Sequence, residues 1–467
     1  MEIKPCQSNP DLFFRQEQDS MGTVSVPIAA YYGSQTQRAA DNFFDSGLKP
    51  PQAWIQALAL IKYYAAKVNA ELGLLAPEQA DAIVTAAQEV MTGRWADQFV
   101  VDLFQTGSGT STHMNMNEVL ASRANEILTG QKGGRSPVHP NDHVNRGQSS
   151  NDVMPTALHV ATALGLTRDL KPALLYLHGF LNEKTMLFQS VQKIGRTHLQ
   201  DAVPMSLGQS FSGFARQIAL GIARVDAVMV RLVELALGGT AVGNGLNTHS
   251  QFADQVIAAI RRHTRIPFCE AENHFAAQAA QDTLVETSGI LKTVAVSLIK
   301  ISNDIRLMGS GPRCGIGELK LPALQPGSSI MPGKVNPVIP EAVIQIAYQV
   351  MGNDTTIALA GQSGNFELNV TLPLLAHNIL QSIHLLTGAS RILADKCLKN
   401  LTADQQRCEA YIEQSLALVT ALVPHIGYDQ AAALAKKAYA EGQTVRKIAL
   451  ADHVLSEDLL NQLLGKI

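Results

Sequence analysis

The sequence is short of charge. Only 16% of its 467 residues are Asp, Glu, Lys or Arg, where an ordinary soluble chain carries about 25%. The 37 basic and 40 acidic residues almost cancel, leaving a formal net charge of -3, so the chain has no broad field with which to grip nucleic acid or an anionic lipid surface. Cysteine is scarce: Cys6, Cys269, Cys314, Cys397 and Cys408 are scattered, odd in number and free of any C-x-x-C spacing. That excludes a disulfide framework and a zinc ribbon and suits a reducing compartment. No uncharged run approaches the roughly 18 apolar residues of a membrane span. The first 20 residues hold Glu2, Asp11, Glu17 and Asp19 with no apolar signal core, and their acidity argues against a transit peptide. None of the 13 histidines sits in an H-E-x-x-H, so a zinc site of that kind is not expected. The composition predicts a cytoplasmic protein with no nucleic-acid or membrane partner. Its 46% apolar content against so little charge also predicts that much surface is covered by other subunits.

What is present is helical periodicity. Length alone suggests about three domains at one per ~150 residues. From Met205 to Leu237, apolar residues fall at Leu207, Phe211, Phe214, Ile218, Ile222, Val225, Met229, Leu232 and Ala236, and these spacings of three and four predict one long helix. A second such pattern runs through Leu284, Leu291, Val294, Leu298, Ile301 and Ile305. A third spans about Glu341 to Met351, and a fourth spans Leu374 to Leu385. Helices this long need near-parallel neighbours to cover their stripes, so the centre is expected to be a bundle. Residues 50 to 95 are also helical in pattern, with Trp54, Leu58, Ile61 and Val68 on one side. The expected organisation is all-α in three domains: an N-terminal one over 1–148, the long-helix bundle over 149–400 and a small helical one over 401–467.

Four stretches break this pattern: Gly107 to Glu118 (GSGTSTHMNMNE), His139 to Asp152 (HPNDHVNRGQSSND), Gly195 to Asp201 (GRTHLQD) and Pro326 to Pro337 (PGSSIMPGKVNP). Taken singly, each is a loop or helix cap, because hydroxyl and amide side chains compete with helical hydrogen bonding. Together they supply hydroxyls, carboxamides and glycine-freed N–H groups, a donor set that suits carboxylate oxygens. The Gly333-Lys334 pair is not a phosphate-binding loop, since five residues separate Gly327 from Gly333 and Val335 occupies the magnesium-binding position. Gly243-Asn244-Gly245 is not a dinucleotide fingerprint either, with Thr248 at the third glycine's place and no preceding strand. Met331, Pro332 and Val335 beside Lys334 predict apolar surroundings in which the ammonium is kept only by meeting an anion. Arg313 is read as structural.

At these stretches the sequence resembles the fumarase/aspartase superfamily, and within it the class II fumarases. The superfamily's signature loop is present as Gly327-Ser328-Ser329-Ile330-Met331-Pro332-Gly333-Lys334-Val335-Asn336. The resemblance extends from about Ser20 to about Gly442 and takes in GGTAVGNGLNTH (238–249), SGPRCGIGE (310–318), MGND (351–354) and SGNFELN (363–369). It implies reversible hydration of fumarate to L-malate, a step of the tricarboxylic acid cycle, with no metal or organic cofactor. It also implies a homotetramer whose four central bundles pack into a multi-helix core, with active sites shared between subunits.

The resemblance further implies residue roles. Ser328 is the base for the C3 proton. His198, through a water, is the acid at the C2 hydroxyl, and Glu341 orients and charge-pairs its imidazole. The substrate carboxylates are held by Ser108, Gly109, Thr110, Ser149, Ser150, Asn151, Thr197, Ser329, Lys334, Val335 and Asn336. His139, Pro140, Asn141 and Asp142 match a second anion site, with Ser136 where related fumarases often carry arginine. Such donors make chemical sense, because removing a C3 proton from malate adds charge to a dianion. A serine alkoxide needs loop N–H groups and a nearby lysine to hold it. Two alternatives stand beside this: an aspartate ammonia-lyase, which uses the same loop, and an idle scaffold. His198 and Gly333, where aspartases tend to carry glutamine and alanine, speak against the first. The retention of Ser328, His198 and Lys334 speaks against the second.

Overall fold

The computed structural model describes residues 14–464. Cys6, Glu2 and Asp11 lie outside the described residues. Among these residues are seventeen α-helices and five two-stranded sheets, none of them larger than a hairpin or a short bridge. The fold is all-α, as the periodicity predicts.

The four expected long helices are Leu207–Leu232, Asp282–Met308, Val338–Gly361 and Leu372–Ile392. The first is shorter than its apolar pattern suggests. Met205 lies in a strand, Gln200–Ser206, and Ala236 lies beyond a short strand at Glu234–Leu235, so the 26-residue helix is about 40 Å long. Hydrophobic spacing cannot mark such ends, because a strand residue that caps a helix is buried just as a helical one is. Along this helix Leu207, Phe211, Phe214, Ile218, Val225 and Leu232 are buried. Other faces of the long helices leave apolar side chains bare: Val230 is 70% exposed, Tyr348 59% and Leu359 58%.

The chain divides into two compact units, and the boundaries fall inside helix Lys171–Leu187 and the four long helices. The first unit comprises Met1–Pro172, Ala223–Thr293 and Tyr348–Leu386. Its core is built on helix Gln52–Glu71, whose Trp54, Leu58, Ile61 and Val68 are buried. Helices Pro77–Met91 and Ser150–Gly165 pack against it. Pro77 stands at the start of its helix, where a missing N–H costs nothing. The second unit comprises Ala173–Ile222, Val294–Ala347 and Thr387–Ile467. It contains the hairpin Gln192–Thr197/Gln200–Ser206, on which helix Gln405–Gln414 packs. A separate small core of Leu418, Leu422, Leu434, Ala438, Val445, Ile448, Ala449 and Leu460 closes its C-terminal part.

Candidate active site

In the first unit, the donor-rich stretch at 107–118 is a glycine-dependent turn into helix Thr110–Thr129. The carbonyl of Gly107 accepts from Leu372 N at 2.9 Å, and a Cβ at this position would lie 1.6 Å from the Val370 carbonyl oxygen. Gly109 caps the helix at φ 75°, in the left-handed region. The turn brings Ser108 Oγ and Thr110 Oγ1 to 2.7 Å. It is fixed from below by Gln105, whose Oε1 accepts from both Thr112 N and Thr112 Oγ1 at 2.9 Å.

The second donor stretch ends in helix Ser150–Gly165, opened by a capping box of Ser149 and Asp152. Ser149 Oγ accepts from Asn151 N at 3.2 Å, which leaves its O–H free to donate. Asp152 is fully buried and accepts from three backbone N–H groups, those of Ser149, Gly238 and Thr240, at 3.0–3.1 Å. Burial pushes its carboxyl above the ordinary range, and these N–H groups oppose the rise. Asn151 Nδ2 donates to Ala241 O at 2.8 Å. The 238–249 stretch is thereby fastened over the start of the helix.

Ser150 Oγ lies 2.9 Å from His113 Nδ1, and His113 Nε2 lies 2.6 Å from Lys62 Nζ. Lys62 has no exposed surface and also reaches Asn145 Oδ1 at 3.0 Å and Gln148 Oε1 at 2.9 Å. Burial drives the Lys62 pKa well below its ordinary value, against the field of Asp152. Burial, then the charge of Lys62, also holds His113 far below the usual imidazole range, so His113 is neutral. Sequence motifs alone do not single out Lys62 or give His113 a role. The signal was there in Lys62, a lone cation inside the apolar run LALIKYYAA, where a charge persists only with partners.

At the predicted second anion site, His139 Nδ1 accepts from Asn141 N and Asp142 N, both at 3.2 Å, and His139 N donates to His143 Nδ1 at 2.8 Å. Pro140 is buried at the start of this turn. Burial lowers the His139 pKa, with Asp142 opposing, consistent with a neutral ring that accepts hydrogen bonds.

In the second unit, Thr197 pairs with Gln200 across a two-residue turn formed by His198 and Leu199. Both turn residues have positive φ, 54° and 60°, as a tight hairpin turn demands, although glycine or asparagine is the usual occupant. His198 is therefore presented, exposed, at the hairpin tip. The hairpin is anchored by the buried Glu318, which takes Arg196 Nη1 at 2.8 Å and Lys193 Nζ at 3.4 Å.

The 326–337 loop closes on itself. Gly327 N donates to Lys334 O, and Asn336 Nδ2 donates to Gly327 O, both at 2.7 Å. Lys334 Nζ donates to Asn336 Oδ1 at 2.8 Å. Inside this frame Ser328 Oγ accepts from Ile330 N at 3.2 Å and Met331 N at 3.0 Å. Glu341 follows in the first turn of helix Val338–Gly361. Lys334 is not embedded in apolar surroundings, since Ile330 is 83% exposed, Met331 49% and Val335 47%. Among the described residues, no hydrogen bond or ion pair joins Glu341 to His198 in one chain. Nor, among these residues, are three His, Cys, Asp or Glu side chains grouped to hold a metal ion. No helix of the described residues is long and apolar enough to cross a membrane.

Two clusters of hydroxyl, amide and imidazole donors suit an anionic ligand, and residues 22–352 match the Lyase family. Residues 418–465 match the family described as Fumarase C C-terminus. The fumarate hydratase class II of Thermosynechococcus vestitus is 54% identical over 436 residues, 93% of each chain. That of Mycobacterium tuberculosis is 53% identical over 452 residues, covering 96% of this chain and 94% of its own. The crystal structure of the class II fumarase from Schistosoma mansoni superimposes with a TM-score of 0.94 at 41% identity, over 97% of this chain and 98% of the other. The chain belongs to the class II fumarate hydratases and is an enzyme of the lyase class.

Proposed function

We propose that the chain catalyses the reversible hydration of fumarate to L-malate by anti addition of water. Ser328 takes the C3 proton, and His198, through a water, acts as acid or base at the C2 hydroxyl. The observation that carries this reading is the pair of loop N–H groups aimed at Ser328 Oγ. A serine hydroxyl is too weak an acid to ionise unaided, and two fixed N–H donors stabilise charge as it grows on that oxygen. Lys334, three residues on from Met331 and tied to Asn336, supplies the cationic field for the alkoxide or for a substrate carboxylate.

The aci-carboxylate formed on C3 deprotonation carries more charge than the bound dianion, so donors placed where that charge develops favour the transition state. Ser108, Gly109, Thr110, Ser149, Ser150, Asn151, Thr197, Ser329, Lys334, Val335 and Asn336 are the residues assigned to the carboxylates. The His198–Glu341 pairing is assigned to contacts between copies, in a homotetramer whose bare apolar helix faces cover one another. The exposed Ile330, Met331 and Val335 would be buried in the same assembly. The reading requires no metal or organic cofactor, and the free thiols of Cys269 and Cys314 suit a cytoplasmic setting.

Malate and aspartate supplied side by side, with absorbance of fumarate as the readout and no added metal, test this directly. Malate should react and aspartate should not, and Ser328→Ala and His198→Asn should each lower turnover by at least ~10²-fold. Fumarate release from aspartate alone would overturn the hydratase reading in favour of ammonia elimination.

A further inference from the structure

The mechanism leaves a fully buried lysine and a fully buried histidine unused, and they lie directly behind one of the assigned carboxylate donors. Lys62 comes from helix Gln52–Glu71, His113 from the first turns of helix Thr110–Thr129, and Ser150 from the first residue of helix Ser150–Gly165. Three helices therefore converge to make one line of contacts, Lys62 Nζ to His113 Nε2 at 2.6 Å and His113 Nδ1 to Ser150 Oγ at 2.9 Å. Ser150 is half-buried, while the two residues behind it are closed to solvent.

The amides around Lys62 fix the direction of two of its hydrogen bonds. Asn145 Nδ2 donates to Gln148 O, and Gln148 Nε2 donates to Val144 O and Arg146 O. Both amide oxygens must therefore face Lys62 Nζ, and both accept from it. An ammonium has a third N–H, and its one remaining contact is His113 Nε2. Burial is the larger influence and works against a charge on Lys62, while the field of the buried Asp152 carboxylate, itself satisfied by three backbone N–H groups, opposes that fall. The ammonium rests on geometry, three acceptors for its three N–H groups in Asn145 Oδ1, Gln148 Oε1 and His113 Nε2. With Nε2 accepting, the single imidazole proton resides on Nδ1 and donates to Ser150 Oγ. Ser150 Oγ then already accepts, so its own O–H is left to donate outward.

We propose that Lys62 and His113 are positioning residues that hold Ser150 as an obligate hydrogen-bond donor to a substrate carboxylate. The relay passes the influence of a sealed cation to the anion site without exposing an ammonium there. Lysine at the surface of the site would be hydrated and mobile; behind an imidazole it is fixed, and the polarity of the serine is fixed with it. This inference rests on the hydratase reading for the identity of the anion, but the donor polarity of Ser150 does not depend on which bond the enzyme makes or breaks.

Two measurements on the full-length protein test it. The first is steady-state kinetics with malate and fumarate. The second is calorimetric binding of succinate, a four-carbon dicarboxylate with neither hydroxyl nor double bond. His113→Leu, which removes both hydrogen bonds, should raise KM and the succinate Kd on the order of tenfold with a smaller change in kcat. His113→Gln can accept from Lys62 on its oxygen and donate to Ser150 from its nitrogen, and should recover most of that loss. Ser150→Ala should weaken succinate to the same degree, and adding His113→Leu to it should change nothing further, because the histidine acts through that hydroxyl. Additive effects of the two substitutions, or a Gln variant as impaired as the Leu variant, would overturn the relay. If His113→Leu fails to fold, His113→Phe, which keeps the ring's bulk but makes neither hydrogen bond, and its double mutant with Ser150→Ala carry the same comparison. Absence of malate turnover in the wild type would refute the hydratase reading and leave the relay to be judged on succinate binding alone.

Discussion

Asp102 offers a quantitative test of how the first donor turn is held. Its carboxylate is buried, at 4% exposure. It accepts from Ser46 N and Phe104 N, each at 2.8 Å, and from the Ser46 hydroxyl. One residue beyond Phe104, Gln105 donates to the Asp102 carbonyl at 2.7 Å and receives both donors of Thr112, so the carboxylate anchors the segment that enters the Ser108–Thr110 turn. Asp102→Asn keeps the shape but turns one acceptor oxygen into an NH2 group facing an N–H. An N–H that loses its partner in a buried place costs about 1–3 kcal/mol, and the bond lost was to a charged acceptor, so about 2–3 kcal/mol is expected. Amide exchange at Ser46 and Phe104 should then quicken roughly 30- to 150-fold at neutral pH if it proceeds through opening of this segment.

The pH dependence adds a sign. Burial alone would raise the Asp102 carboxyl, but the Phe104 and Ser46 hydrogen bonds more than offset it and hold it below its ordinary value of 3.8. A depressed folded pKa gives a contribution that is complete above the unfolded value and is lost as pH falls through the folded one. The difference between wild type and Asp102→Asn should therefore shrink as pH drops below about 4. A difference under ~0.5 kcal/mol at neutral pH, or one that does not change with acid, would refute this account of the anchor.

Two further outcomes are expected. Gly107→Ala forces a methyl into the Val370 carbonyl. Overpacking of that kind costs typically about 1–3 kcal/mol, so a thermal melt should fall and KM should rise as the Ser108–Thr110 turn shifts; an unchanged melt would contradict the contact. Arg38 beside Asp19 holds that carboxyl down, and in Glu89 and Glu126 the hydrogen bonds of Arg123, with Trp95 and Tyr31, outweigh the upward push of burial. All three pKa values are depressed, so their stabilisation should be full above about pH 4.5 and decline as the solution is acidified below it, read by denaturant midpoints across pH 3 to 6.

The sequence by itself determined the class of fold, because apolar residues at helical spacing over more than 20 positions have no other way to be buried. It also determined the chemistry on offer, since the hydroxyls, amides, imidazole and lysine of the four polar stretches are fixed by composition and order. The 327–336 loop was legible at the level of residue type. Tertiary structure decided how each of these groups is held. Ser149 Oγ accepts within a helix cap, His139 Nδ1 accepts from its own turn, and Ser328 Oγ collects two N–H groups, arrangements that depend on backbone direction at each residue. It also decided that His198 stands at a hairpin tip, where two residues without glycine's freedom are held at positive φ by the anchoring of the strands behind them. The Lys62–His113–Ser150 line lay beyond sequence reasoning because its members are 51 and 37 residues apart. Only the packing of three helices brings an ammonium, an imidazole and a hydroxyl within bonding distance, and hydrogen bonds, unlike hydrophobic stripes, leave no periodicity in the chain.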